Sequence, residues 1–309
     1  MTRLPWEKTP DHVRADVETL LGARVAEATT QPGGYSPGVA ARLRLDDGRR
    51  AFVKSVGAEL NPDSPGIHRA EARVAAALPR SAPAPRLLGS FDRDGWVTLV
   101  FEDVDGAPPR EPWDDTELAR VLAALGDLAA AMTPAPIDAP TVAERFGPAF
   151  RGWRLLAAGP AGAGGPDGLD PWARARLPEL AELEESWEAA AAGDTLAHAD
   201  VRADNILLTP GRVVVVDWPW ACLSAPWFDL LAMLPSVRLQ GGPPPADAFA
   251  AHPLAASADD RAVTAVLAAV AGFFVHGALQ PPPPGLPALR AFQRAQGEVA
   301  LAWLRDRLE

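Results

Sequence analysis

One cysteine, one tyrosine, two lysines and two asparagines are all that a chain of 309 residues holds of these four side chains. A single thiol, Cys222, excludes an internal disulfide and a cysteine-rich zinc centre. The first ten residues carry Pro5, Glu7 and Pro10 and no apolar run, so no secretory signal is legible and a cytoplasmic location is expected. Positive charge is also scarce: 29 basic against 40 acidic side chains leave a net −11, which argues against a general nucleic-acid or anionic-membrane surface. The 26 glycines and 33 prolines stay below the roughly 25–30 % that would indicate a low-complexity chain. What remains, 48 % apolar and 22 % charged, suffices for one large core or two modest ones, and the length favours two lobes.

The charge is unevenly spread. Residues 1–102 hold 14 basic and 13 acidic side chains, whereas residues 103–309 hold 15 and 27. Long-range attraction in the second part therefore favours a cationic ligand over an anionic one. Against so few lysines and asparagines, Lys54 and Asn205 stand out as positions where a rare side chain is kept.

The first hundred residues alternate with a period of two. Strands are predicted over 23–31, 39–45 and 51–56, the last two joined by Asp46-Asp47-Gly48, and over 86–91 and 96–102 around Asp92-Arg93-Asp94-Gly95. One helix, 64–78, begins with Ser64 as its cap and Pro65 in its first turn. From Asp114 the period becomes helical, with helices predicted over 116–132, 142–157, 171–192, 227–234, 259–279 and 286–308. A strand pair, 205–209 and 212–217, interrupts them around Pro210-Gly211. The run 262–279 has no charged residue, but its glycine and alanine pairs, Thr264 and His276 fit a buried helix better than a membrane span. The division expected is a first lobe over 1–102 and a helical lobe over 103–309.

The chemistry concentrates in Leu196-Ala-His198-Ala-Asp200-Val-Arg202-Ala-Asp-Asn205, followed by Val213-Val-Val-Val-Asp217-Trp218. In a chain of this composition the spacing H-x-D-x-x-x-x-N arises by chance roughly two or three times per thousand sequences. An Asp in a loop accepts the proton of an attacking hydroxyl. Asn205 at the far end of that loop and Asp217 at a strand end supply the oxygen donors that Mg²⁺ prefers, the layout phosphoryl transfer requires. His198 fits a brace better than a base.

On these residues the chain resembles the aminoglycoside phosphotransferase family, small-molecule kinases with the protein-kinase-like fold, over nearly its whole length. The resemblance implies a bilobal α+β fold, with a five-stranded antiparallel sheet plus one helix in the first lobe and a mainly helical second lobe. It makes Asp200 the catalytic base, Asn205 and Asp217 the Mg²⁺ ligands, and Arg202 a group facing the γ-phosphate. Pro226-Trp-Phe-Asp229-Leu-Leu is similar to the family's P-x-x-D-L segment, whose Asp braces the catalytic loop. Lys54 in Phe52-Val-Lys54-Ser-Val takes the place of the lysine that holds the α- and β-phosphates, with Glu71 as its ion-pair partner and Glu59 as the rival. Gly33 and Gly34, in Pro32-Gly33-Gly34-Tyr35-Ser36-Pro37-Gly38, stand where a phosphate loop belongs but lack the G-x-G-x-x-G spacing. Glu102 and Val104 resemble the hinge whose backbone reads the nucleobase.

Two departures are visible. Ala199 stands where the family commonly has Gly, and Pro219-Trp220 follows Asp217-Trp218 where an acidic residue is common. Asp103, Asp247, Asp259, Asp260 and Glu309 are candidate acceptor carboxylates, though solvated surface charge is the plainer role. Trp218, Trp220 and Trp227 are candidates to wall an acceptor pocket, with core packing as the plainer role. The expected function is transfer of the γ-phosphoryl group of ATP or GTP, with Mg²⁺, to a hydroxyl of a small amine-bearing acceptor, an aminoglycoside-type or other antibiotic. A metabolic kinase for choline, homoserine or a sugar is the alternative within enzymes; a nucleotide-binding pseudokinase or scaffold is the alternative outside them. No nucleic-acid or membrane partner is expected, and the chain is expected to be a monomer or homodimer.

Overall fold

The computed structural model describes residues 3–32, 37–159, 168–283 and 286–309. Two compact units emerge, residues 1–108 with 205–220, and residues 109–204 with 221–309.

In the first unit, strands β1 (Val25–Thr30), β2 (Val39–Leu45), β3 (Arg50–Gly57), β4 (Leu87–Arg93) and β5 (Trp96–Glu102) form one antiparallel sheet in the order β1-β2-β3-β5-β4. Their alternation gives the sheet two covered faces. On one, Ala41, Leu43, Ala51, Val53 and Val100 pack with Trp6, Val17 and Leu21, the last two from helix α1 (Asp11–Leu21). The sequence reading lacked α1, although Val13, Val17 and Leu21 recur every four residues on its buried side. On the other face Phe52, Val97, Leu99 and Phe101 pack with Ala72 and Ala75 of helix α2 (Ser64–Ala77). Ser64 does not cap α2 as expected; the Asn61 side chain accepts the N–H groups of Asp63 and Ser64 instead.

The second unit is mainly helical. Helix α3 (Asp115–Ala131) starts on Asp114, which accepts from the N–H groups of Thr116 and Glu117. The single helix expected over 142–157 is two, α4 (Val142–Phe146) and α5 (Gly152–Ala157), because Pro148 between them cannot continue an i to i−4 ladder. The next expected helix is three, α6 (Pro171–Ala175), α7 (Leu177–Glu185) and α8 (Trp187–Ala190), broken first where Arg176 leaves helical geometry ahead of Pro178. Strand β6 (Thr195–Ala197) leads into the His198–Asn205 loop.

The hairpin of β7 (Ile206–Leu208) and β8 (Val213–Val215) follows and belongs with the first unit. It is tied there by reciprocal bonds between Ala107 and Leu208, by Val215 N–H to Pro83 O at 2.6 Å, and by Arg212 to Glu102 at 2.8 Å. This is why the first unit gathers a segment from beyond residue 200, although residue 102 is the division that composition suggests.

Back in the second unit, β9 (Cys222–Ser224) pairs with β6. Helix α9 (Phe228–Leu239) runs through Pro235 rather than ending before it, held by burial along nearly all of its length. Helix α10 (Pro245–Ala250), which the sequence reading lacks, comes next, and α11 (Asp260–Ala278) and α12 (Leu289–Leu308) follow it. Helix α11 is long and apolar enough to cross a membrane by length and composition, yet most of it is buried against α5, α7, α8 and α12, as expected of a core helix.

Candidate active site

Register fixes the centre of the first unit. Lys54 lies opposite Ala40 of β2 and Leu99 of β5, on the sheet face that carries α2. Its ammonium donates to Glu71 Oε1 at 2.6 Å and to the Asp217 carboxylate, and it lies 5.8 Å from the Phe101 ring centroid. Glu71 is buried, so the partner expected from the sequence is the one found; Glu59 makes no ion pair with Lys54 among the described residues. One cation thus joins two carboxylates separated by 146 positions in the chain, which only the docking of the β7–β8 hairpin on this unit achieves.

Asn205 and Asp217 end up at the same end of that hairpin, since Val216 N–H donates to Asn205 O at 2.9 Å. Asp217 adopts φ of 66°, a left-handed geometry that Asp tolerates better than most residues. Its side chain is 45 % exposed, so it stays open to a cation. Among the described residues no group of three or more His, Cys, Asp or Glu side chains could hold a metal. A carboxylate and an amide oxygen at one hairpin end do fit Mg²⁺, which takes few protein ligands and completes its shell with phosphate oxygens and water.

His68, one turn before Glu71 on α2, is buried, and its Nδ1 lies 3.1 Å from Ser64 O. Burial pushes its pKa down to about 4, so it is a neutral neighbour of the ion pair at physiological pH.

The hinge residues differ in what they leave available. Glu102 N–H is used by Arg86 O at 2.9 Å and its carboxylate by Arg212. The Val104 carbonyl accepts both Gly106 N–H at 3.0 Å and Arg42 Nη2 at 3.1 Å, which engages that side of its backbone. Gly33 and Gly34 lie outside the described residues.

The second unit holds the loop that begins at His198 by its backbone. Asp229 is buried, and its two oxygens accept His198 N–H at 2.8 Å and Ala199 N–H at 2.7 Å. Burial pushes its pKa up to about 6; the two N–H groups oppose that shift and the charge of Asp200 adds to it. A cavity of about 10 Å³ beside it, walled by Leu125, Leu128 and Leu230, has room for no more than a water. His198 is fully buried, and its Nδ1 accepts Asp200 N–H at 3.2 Å, which puts the ring proton on Nε2 and makes the ring an orienting group for the loop. Ala199 between them has φ of 64°, the conformation in which glycine is unstrained.

Arg202 is gripped by Asp204 through two bonds, at 3.0 and 2.7 Å, and reaches Asp200 Oδ1 at 3.6 Å. Its guanidinium lies 5.8 Å from the centroid of Phe292. Neither contact of Arg202 is legible in the sequence: Asp204 falls on an unspecified position of the motif, and Phe292 is 90 positions away from Arg202.

Most candidate acceptor carboxylates have other work. Asp103 sits between Arg50 at 2.6 Å and Arg42 at 3.3 Å, Asp259 caps α11, Asp260 pairs with Arg307 at 2.6 Å, and Glu309 accepts Trp172 Nε1 at 2.9 Å. Asp247 lies in the first turn of α10. Trp218 and Trp227 are core residues, the former donating Nε1 to Val215 O at 2.9 Å; Trp220 is 39 % exposed.

The phosphotransferase enzyme family profile matches residues 31–267. Among solved structures, a choline kinase, LicA, from Streptococcus pneumoniae superposes with a TM-score of 0.61 at 13 % identity, covering 96 % of this chain and 98 % of its own. A thermostable aminoglycoside phosphotransferase, APH(4)-Ia, in a ternary complex with AMP-PNP and hygromycin B gives 0.60 at 14 %, with the same coverage. Spectinomycin phosphotransferase APH(9)-Ia, with ADP and spectinomycin, gives 0.56 at 12 %, covering 95 % of this chain and 98 % of its own. No curated protein matches the sequence. The chain belongs to the phosphotransferase enzyme family and shares the fold of these solved structures.

Proposed function

We propose that this phosphotransferase moves the γ-phosphoryl group of ATP or GTP to a hydroxyl of a small molecule, with Asp200 as the catalytic base. The observation that carries the assignment is the contact of Lys54 with both Glu71 and Asp217, which unites a strand lysine, a helix glutamate and a strand-end aspartate into one charge chain. Asn205 and Asp217 would hold Mg²⁺, whose charge would offset that of the β- and γ-phosphates. Lys54, fixed by Glu71, binds phosphate oxygens. Asp200 accepts the proton of the attacking hydroxyl; its N–H is held by His198 and the preceding two N–H groups by Asp229, so its carboxylate is aimed before substrate arrives. Arg202, 3.6 Å from that carboxylate, offers positive charge to the transferred group. These residues also weigh against a pseudokinase, since Lys54, Asp200, Asn205 and Asp217 are all present. Similarity to both an antibiotic kinase and a choline kinase leaves resistance and metabolism as the two settings for the activity.

The test is ADP or GDP release from MgATP and MgGTP by wild type and Asp200→Asn over a panel of antibiotics, amino alcohols and sugars. Turnover is expected to fall by about a thousandfold or more in the variant, with nucleotide affinity within a few fold. A variant that turns over at the wild-type rate removes Asp200 from the role.

A further inference from the structure

We infer that the acceptor of this kinase is a neutral or anionic alcohol with a flat apolar face, received on rings of α11 and α12, rather than a polyamine. The inference rests on the phosphotransfer assignment above and concerns only the acceptor.

Three phenylalanines of the second unit form a continuous surface that begins at the catalytic loop. Phe292 faces Arg202 at 5.8 Å and meets Phe274 edge-on at 6.4 Å, and Phe274 meets Phe273 at 5.0 Å. All three are half-buried, unlike Phe150 behind Phe273, which is buried. Close helix packing sets them side by side: a Cβ on Gly297 would lie 3.3 Å from Phe274, and one on Gly277 would meet the Gln293 side chain at under 3 Å. Glycine at both positions lets α11 and α12 approach.

The charges at this surface are mostly positive. Arg290 donates to Gln293 Oε1 at 2.6 Å and to Pro281 O, and makes no ion pair among the described residues; Arg151 is exposed and makes none either. Both repel a proton from His276 on α11, whose pKa is lowered by burial and by these two positive charges. Glu184, the carboxylate nearest Gly272 at this end of α11, is buried and fully used by Arg154 and by the N–H groups of Trp153 and Arg154. Asp204 and Asp200 face Arg202. An acceptor bearing several amines would meet rings flanked by unpaired arginines, whereas aromatic faces beside cations suit a planar neutral or anionic group. The acidic surplus of residues 103–309 acts at long range and is screened by salt, whereas Arg290 and Arg151 act at the rings themselves.

The full-length protein is titrated with 8-anilinonaphthalene-1-sulfonate, an anionic aromatic probe, and assayed with MgATP against equimolar chloramphenicol, choline and hygromycin B. Saturable probe binding is expected, weakened about fivefold or more in Phe292→Leu and in Arg290→Gln, with melting temperatures within about 3 °C of wild type as the folding control. No saturable binding, binding unchanged in both variants, or displacement by choline overturns the inference. So does phosphorylation of choline or hygromycin B faster than of chloramphenicol, an outcome that would leave the kinase assignment standing. If none of the three is phosphorylated, the probe titration decides the inference, and MgATP binding with Asp200-dependent turnover decides the assignment.

Discussion

The two units use the same carboxylate chemistry in opposite ways. In the first, Asp217 is 45 % exposed at its side chain and faces the Lys54 cation directly. In the second, Asp229 is buried and makes no ion pair among the described residues; it acts on the backbone, holding His198 and Ala199 by their N–H groups. Direct ion pairing keeps a charge within reach of solvent, while a carboxylate bound to amides gives up solvation to fix a loop. A residue's distance from solvent thus separates the carboxylates that meet ligands from those that shape the polypeptide around them.

Removing the cation from the first arrangement should have the largest effect. Lys54→Ala is expected to lower kcat/KM for MgATP by about a hundredfold or more. It also strands the buried Glu71 and should lower the melting temperature. The double variant with Glu71→Ala recovers the stability but not the activity; recovery of both would make the pair purely structural.

Asp229 gives a pH signature that the ion pair does not. Its folded pKa is pushed up to about 6 from an ordinary 3.8, so the folded chain holds this proton more tightly than the unfolded chain. The stability it contributes is full below about pH 4, falls as pH rises toward 6, and is level above that. Melting temperatures of wild type minus Asp229→Asn should therefore decline across pH 4 to 6; a difference that rises in this window contradicts the burial argument. Asp229→Ala leaves two buried N–H groups unpaired and is expected to cost about 2–4 kcal/mol in chemical denaturation.

The smallest expected effect is at Ala199. With φ of 64°, Ala199→Gly relieves left-handed strain at some cost in chain entropy, for a net gain of up to about 1 kcal/mol. Destabilisation of similar size would mean that the alanine methyl packs against the loop.

The catalytic loop and the five strands were legible because they depend on local signals, a fixed spacing around Asp200 and a period of two along the sheet. The pairing of Lys54 with Glu71 was legible as well, since helix α2 follows β3 directly. The pieces of the helices over 142–157 and 171–192 were not, because apolar periodicity continues across breaks that Pro148 and Arg176 impose on the backbone. Helix α1 was missed for the opposite reason: its apolar residues are few, and only the sheet they cover shows what they are for. The occupied Val104 carbonyl depends on Arg42, 62 residues earlier, and no spacing rule connects them.

By itself the sequence determined which residues are candidates for the chemistry, because Asp200, Asn205, Asp217 and Lys54 stand out by residue type, spacing and rarity. Only the tertiary structure decided which of the many carboxylates are engaged and which cations are not. Asp103 and Asp260 look alike in the chain, but long-range packing gives the first two arginines and pairs the second with Arg307, whereas Asp259 caps the helix it begins. A side chain's charge is set by its type; its availability is set by neighbours that folding brings from tens or hundreds of positions away.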